Sequence, residues 1–520
     1  MTSRTDAQYL PVGVPQRVSL FEILAVFVLT LLFLYLLRPI ELSDNSLMYI
    51  GRVEDSKLFY APHLLHAAII WVFNEIFFPV ASCDIACAGM IHSMLWAAVA
   101  VTSVYLIALC FLATRVGSAL TAMAVLFAHG FWVFATQLEV YVPTVGCVAA
   151  ATAVLFTNPR PTLSRVRIVA AAVLWALATT YHMGSIVLFI PFCAYFFSVQ
   201  GFRGWQQLAI VSILAGGLVL SAYVVIYNLD HALIAFRFDS EDRTFVGFLT
   251  WVFGLAGVPM TDWGQLENWQ PAALFRAGWR QIMALTLLPE YITQNQRPLW
   301  VIGAVVAVAT LVWNAVQLLK RSDSIRGARL YFLLLFIVLF MFFAWWQPMV
   351  HKFYIPSSFP LVVLIAMAVR DCYNLFQPGF GRYAVAGAAT VAVAVLFVFN
   401  LSSVLELRHS LGPDYAEAEV FDKLTPEGCE IYTVGHHLNP LRVYFDRRQV
   451  TPMRRYLTSF YADVTGDPRP DVMSVEDEKC ALMPLGFLSK KYYEALVAEH
   501  LGSELWPRYV GLFFDTKEDP

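Results

Sequence analysis

Long apolar runs broken by short polar stretches fill the chain from Leu20 to Val404. A helix needs about 20 apolar residues to cross the hydrocarbon core of a bilayer. The runs Leu20–Leu37, Ile85–Ala113, Ala119–Ala135, Val142–Phe156, Ile168–Thr180, Ser185–Val199, Ala209–Tyr227, Leu299–Leu319, Leu330–Trp345, Tyr354–Val369 and Ala384–Val404 predict about eleven crossings. One further segment, Pro62–Phe78, does not fit as a crossing. As a helix it would bring His63, His66 and Asn74 onto one narrow polar stripe, the pattern of a helix lying in the membrane interface. The stretch before it, from Arg38 to His66, reads as a loop carrying Glu41, Asp44, Glu54 and Asp55.

The pattern changes after Leu405. Charges become frequent, Thr425-Pro426-Glu427-Gly428 signals a turn, Glu417–Leu424 reads as a helix, and Glu430–Val434 and Arg448–Thr451 read as short strands. A domain organisation follows: a tail over 1–19, a transmembrane domain over 20–404 with outer loops 38–84 and 228–298, and a small α/β domain over 405–520.

Composition supports the membrane reading. The chain of 520 residues is 59% hydrophobic and 14% charged, with mean hydropathy +0.62, whereas soluble domains carry roughly 25% charged residues. The net charge of −3 argues against a nucleic-acid partner. The basic residues lie between the apolar runs: Arg115; Arg160, Arg165 and Arg167; Arg203; Lys320, Arg321, Arg326 and Arg329; Arg370 and Arg382. All fall on one side in this count, and positive loops mark the cytoplasm. The N-terminus is therefore expected inside, and the C-terminal domain outside, at a cell inner (plasma) membrane. Arg38-Pro39-Ile40 is a poor signal-peptidase context, so the first run is expected to be a retained helix. No Cys/His zinc spacing occurs among the eight cysteines. Cys429 and Cys480 either pair in an oxidising compartment or stay free.

No Walker A loop, GxGxxG after a strand, GxSxG, HExxH or DxD is present. Polar residues collect instead where the runs meet the outer surface: Asp44; His129, Trp132, Thr136 and Glu139, which share a face if the third crossing stays helical; Tyr141; His182; and His351-Lys352. Ionisable groups at that depth are costly unless they pair or line a wet cavity. Each also has a purely structural reading, as a snorkelling Lys352, a helix-bridging His182 or a solvated helix end at Glu139.

The order of these elements resembles the GT-C superfamily of integral membrane glycosyltransferases, and within it bacterial enzymes similar to protein O-mannosyltransferases. The matching elements are Ser43-Asp44-Asn45-Ser46 after the first helix, Pro62-His63-Leu64-Leu65-His66 with its His-Pro order inverted, Glu139-Val140-Tyr141, Thr180-Tyr181-His182-Met183 leading to Leu188–Pro191, and Lys352–Pro356. The resemblance implies a mostly α, polytopic helical membrane protein with a polyprenyl-phosphate-linked sugar donor. The acceptor would be a protein, glycan or lipid hydroxyl, and transfer would proceed with inversion at the outer face. It implies Asp44 as general base and His63, His66, Glu139, Tyr141 and His182 as substrate-binding residues. His351 and Lys352 would hold the donor phosphate, with Arg237 and Arg243 as alternatives. No cofactor is indicated, and a divalent metal is left open. Two rivals remain: a lipid-linked-glycan transporter or flippase, and an oligosaccharide ligase.

Overall fold

The structure, a computed structural model, describes residues 18–38, 42–60, 63–81, 83–112, 114–157, 162–201, 204–229, 270–286, 297–320, 325–346 and 350–409, with 430–433, 445, 450–452 and 481–482 beyond them. The chain is mostly α-helical. The helices are α1 (Leu20–Leu36), α2 (Asp44–Glu54), α3 (His66–Ala81), α4 (Ile85–Leu112), α5 (Arg115–Leu126), α6 (His129–Phe134), α7 (Tyr141–Phe156), α8 (Arg165–Tyr181), α9 (Phe189–Gln200), α10 (Gly204–Tyr227), α11 (Pro271–Leu285), α12 (Arg297–Leu319), α13 (Arg326–Trp346), α14 (Ile355–Leu375) and α15 (Phe380–His409). Short 3-10 helices, Met183–Leu188 and His351–Tyr354, lead into α9 and α14. Among the described residues six helices are long and apolar enough to span a membrane, and five shorter apolar helices accompany them. The chain is a multi-pass membrane protein.

Every predicted crossing lies on one or more of these helices, but three expectations change. The run Ala119–Ala135 is not one helix: it breaks at Phe127-Ala128 and ends at Phe134. His129 and Glu139 therefore share no helix face. The helix expected over Pro62–Phe78 starts only at His66, and His63 sits in a turn before it. Part of the opening loop is helical, as α2. Cys429 and Cys480, read as either a pair or free thiols, lie outside the described residues. A disulfide joins Cys83 and Cys87 at the start of α4, where the Asp84 carboxylate accepts the Cys87 amide at 2.8 Å.

Local chemistry explains where the helices begin. Ser19, Thr114 and Ser164 accept amides of the first turns of α1, α5 and α8, the role that favours these residues at helix starts. Inside the apolar bundle, Thr121, Thr144 and Thr152 donate to carbonyls four residues back, which satisfies hydroxyls that lipid and apolar side chains cannot. Helix α4 is buried over most of its length and packs on α7, α5, α1 and α3. Gly146 permits the close α4–α7 approach, because a Cβ there would meet the Trp96 carbonyl oxygen at 2.7 Å.

Polar contacts sort the helix ends into two sets. At one end Glu22 accepts from Arg115 at 3.0 Å, Arg167 donates to the Val154 carbonyl, and Arg329 pairs with Asp371 at 2.5 Å. Arg329 is nearly wholly buried. It also donates to Asn314 Oδ1, while Trp313 donates to Asp371 at 2.9 Å, so α12, α13 and α14 meet in one satisfied network. Removing one partner of a buried ion pair costs about 3–5 kcal/mol. Arg329→Met is therefore expected to lower the thermal unfolding temperature in detergent well below that of wild type, and Arg329→Met with Asp371→Leu to recover part of the loss. An unchanged transition in the single variant would show that the network does not hold these helices.

At the other end Arg408 donates to the Leu36 carbonyl. Helix α15 is almost wholly exposed along its apolar first turns and is moored near its C-terminal end. There Phe397 stacks on Trp132 at 5.8 Å and Ser403 bonds His129 Nε2 at 3.0 Å. Asn400 Nδ2 donates to the carbonyls of Phe127 and Leu285, at 2.7 and 3.1 Å.

Contacts divide the chain into two compact units, Met1–Pro39 with Arg52–Arg408, and Ile40–Gly51 with His409–Pro520. In the second unit β1 (Glu430–Thr433) lies between β2 (Val450–Pro452) and β3 (Ala481–Leu482), parallel to both. Ile431 is opposite Val450, and Glu430 is opposite Ala481. Two of these strands overlap the two read from the sequence. The helix expected over Glu417–Leu424 lies outside the described residues.

Candidate active site

The first unit gathers most of the predicted polar residues at the end of the bundle that carries Leu36 and Arg408. Glu139 precedes α7, whose N-cap is Val140, so the helix's first amides favour its negative charge. Its side chain is fully buried, and Lys352 Nζ stands 3.4 Å from its carboxylate. Lys352 belongs to the 3-10 turn His351–Tyr354. It is therefore the partner of a buried acid, where its chain position alone also fitted a headgroup-seeking lysine.

Beside this pair, His63 and His182 face each other with ring centroids 5.3 Å apart. The Tyr141 ring is 5.6 Å from His182, and Phe353, next to Lys352, packs edge-on to Tyr141 at 5.3 Å. The Leu65 amide donates to the Thr180 carbonyl at 3.4 Å, which ties the turn bearing His63 to the end of α8. Loss of water, and then the nearby His182 imidazole, hold His63 well below the usual imidazole range. The His66 imidazole, Arg52 and Lys352 add to the same effect, so four cationic or potentially cationic groups surround His63.

His66 also belongs to a second group. It is fully buried, with its ring 5.8 Å from His92 and 6.1 Å from Tyr181. The Tyr181 hydroxyl takes the Trp96 N–H at 3.1 Å and shares a 2.7 Å bond with His92 Nε2.

His351 lies 6.0 Å from the Phe134 ring, close to Lys352 and Arg280. Arg280 comes from α11, inside the predicted outer loop 228–298. Helix α11 starts on Pro271, a residue preset for the first turn, and buries Ala273, Ala277 and Gln281. Gln281 fastens it to α14: its Nε2 donates to Ser358 Oγ at 2.9 Å, and the Ser357 hydroxyl donates to its Oε1. Sequence reading missed Arg280, although the Pro271 start and the i, i+4 spacing of buried small residues were available. It also missed Arg52, whose guanidinium covers the Tyr60 ring at 4.1 Å.

Asp44 is the first residue of α2 and belongs to the second unit. Arg237 and Arg243 lie outside the described residues. Among the described residues no group of three or more His, Cys, Asp or Glu side chains is arranged to hold a metal ion.

No protein-family model and no curated protein matches the chain. Solved structures do. The chain is similar to ArnT from Cupriavidus metallidurans bound to undecaprenyl phosphate, with TM-score 0.51 and 12% identity over 84% of this chain and 90% of that one. It is also similar to the oligosaccharyltransferase of Archaeoglobus fulgidus tethered by a disulfide to an acceptor peptide containing the NVT sequon, with TM-score 0.50 and 14% identity over 81% and 63%. The same oligosaccharyltransferase in complex with Zn and sulfate matches with TM-score 0.50 and 14% identity over 91% and 61%. The chain thus spans less than two thirds of the oligosaccharyltransferase's length and nine tenths of ArnT's. At these identities the likeness is one of fold.

Proposed function

We propose, for a chain that has the fold of the GT-C superfamily of integral membrane glycosyltransferases, that it transfers a sugar from a polyprenyl-phosphate carrier to an acceptor hydroxyl at the outer face of the membrane. The carrying observation is Lys352 standing 3.4 Å from the buried Glu139 at the helix ends where His63, Tyr141 and His182 converge. A leaving lipid phosphate gains negative charge, which fixed positive groups stabilise in a site of low dielectric. Lys352 supplies that charge, Arg280 and His351 stand beside it, and the buried Glu139 holds the lysine in place. ArnT, of similar length and fold, binds undecaprenyl phosphate, which supports a carrier of the same chemistry here.

Asp44 takes the proton of the acceptor hydroxyl as its oxygen attacks the anomeric carbon. The bond from that carbon to the phosphate oxygen breaks as the new glycosidic bond forms, so one displacement inverts the configuration. His63, His66, Glu139 and Tyr141 line the sugar and acceptor side, and His182 stands where that side meets the carrier phosphate. The order of motifs supports this assignment of Asp44. The same order of motifs resembles that of bacterial enzymes similar to protein O-mannosyltransferases, and the proposed location is a cell inner membrane.

The Arg-rich helix ends carrying Arg115, Arg167, Arg329 and Arg370 then face the cytoplasm. The opposite end carries the Cys83–Cys87 disulfide, which suits an oxidising exterior. The soluble domain over 405–520 is proposed to be extracytoplasmic. Polar groups gathered at one end of the helices favour an enzyme over a transporter, whose sites lie near the midplane.

The test is mass spectrometry of lipids that purify with the protein. A polyprenyl phosphate bearing a sugar is the expected species, and its mass names the donor. Preparations from native membranes that carry ordinary phospholipids and never a polyprenyl phosphate end the proposal.

A further inference from the structure

His182 ends one helix and starts another. Its own amide donates to the Ala178 carbonyl at 2.9 Å, closing α8, and its backbone is extended (φ −150°, ψ 113°). Its side chain then caps the 3-10 helix Met183–Leu188, with Nδ1 accepting the Gly184 amide at 3.1 Å. A backbone amide only donates. The nitrogen that receives it holds a free lone pair and no proton. A neutral imidazole carries one N–H, so in His182 that proton belongs to Nε2.

Gly184 makes the arrangement possible. A Cβ at this position would lie 3.0 Å from His182 Nδ1 and 2.4 Å from Phe342 Cε1, so a side chain would crowd both the ring and its neighbour. The imidazole is held on its other sides by His63, Tyr141 and Phe343, with centroids at 5.3, 5.6 and 5.3 Å. It is almost wholly buried. Phe353, the residue after Lys352, is 6.5 Å away.

We propose that His182 is locked as the Nε2–H tautomer and acts as a fixed, uncharged hydrogen-bond donor to an oxygen of the carrier's phosphate, not as a proton acceptor. This rests on the carrier-phosphate role proposed for the Lys352 end. Lys352 already faces a carboxylate, so its charge is shared. A neutral donor beside it adds direction to phosphate binding without a second cation for Glu139 to compensate. Hydrogen bonds to an ionised acceptor are the strong ones.

Two measurements on the full-length chain test it. The first is ¹⁵N magnetic resonance of protein labelled at histidine, with His182 assigned by its disappearance in His182→Gln. The expected spectrum has an unprotonated, pyridine-type Nδ1 and a protonated, pyrrole-type Nε2; a protonated Nδ1 overturns the tautomer.

The second is binding of undecaprenyl phosphate to purified variants. His182→Asn keeps an acceptor near Nδ1 for the Gly184 amide, and so keeps the cap, but has nothing at the Nε2 position. Its affinity is expected to fall by about tenfold or more. His182→Gln reaches the Nε2 position with an amide N–H and is expected to stay within about threefold of wild type. Wild-type affinity in His182→Asn, or equal losses in the two variants, overturns the donor role. If wild type itself fails to bind undecaprenyl phosphate, the carrier role proposed for this end fails and the phosphate half falls with it. The tautomer then stands or falls on the spectrum alone.

Discussion

Asp44→Asn is expected to lower sugar transfer by about 10²–10⁴-fold, the range over which a positioned base accelerates proton removal, while leaving the amount of bound carrier lipid unchanged. Asparagine keeps the size and the oxygen acceptor of aspartate. What it lacks is basicity. The acceptor hydroxyl must lose its proton as it attacks, and an amide cannot take it. The assay is transfer from the carrier-linked sugar found on the purified protein, with carrier content of the same preparation measured by mass spectrometry. Transfer at the wild-type rate removes Asp44 from the role of base. Loss of both transfer and carrier assigns it to binding.

Lys352→Ala has the second large effect, and it acts twice. It removes the positive group proposed to meet the carrier phosphate, and it takes from the buried Glu139 carboxylate the cation it faces at 3.4 Å. Breaking a buried ion pair costs about 3–5 kcal/mol, and the partial exposure of Lys352 sets the expected cost toward the lower figure. Carrier binding and thermal stability should both fall. Lys352→Ala with Glu139→Gln separates the two effects: the neutral amide no longer needs a counter-charge, so the unfolding temperature should return toward wild type while carrier binding stays weak. Carrier affinity at wild-type level in the double variant would place the phosphate elsewhere.

The membrane helices were legible because bilayer thickness demands long apolar runs, and little else in the sequence produces them. What was hidden is where such runs break. Ala119–Ala135 carries only Thr121 and His129 among apolar or small neighbours and is almost wholly buried in its second half, so no periodic face marks the break at Phe127-Ala128. That break is fixed from far along the chain, by Asn400 bonding the Phe127 carbonyl and Ser403 bonding His129. The alignment of His129 with Glu139 failed for the same reason.

Part of the site was legible by residue type. Glu139, Tyr141, His182 and Lys352 stand at the ends of apolar runs, and all come together at one end of the bundle. Arg280 was not legible in that way, because α11 lies in a long connection and its placement depends on Gln281 meeting Ser357 and Ser358 of a distant helix. The Cys83–Cys87 pair carried a local signal, two cysteines one helical turn apart with an aspartate between them. It carries none of the motif spacings that distinguish metal or redox sites.

The mooring of α15 has a mechanical consequence. Phe397, Asn400 and Ser403 fasten the helix within two turns, whereas the apolar length before them is exposed. That free length behaves as a boom on a fixed pivot. Its inclination follows the thickness of the surrounding bilayer, while the pivot keeps the register of α6 and α11, and so the seat of Arg280, insulated from the lipid's changes.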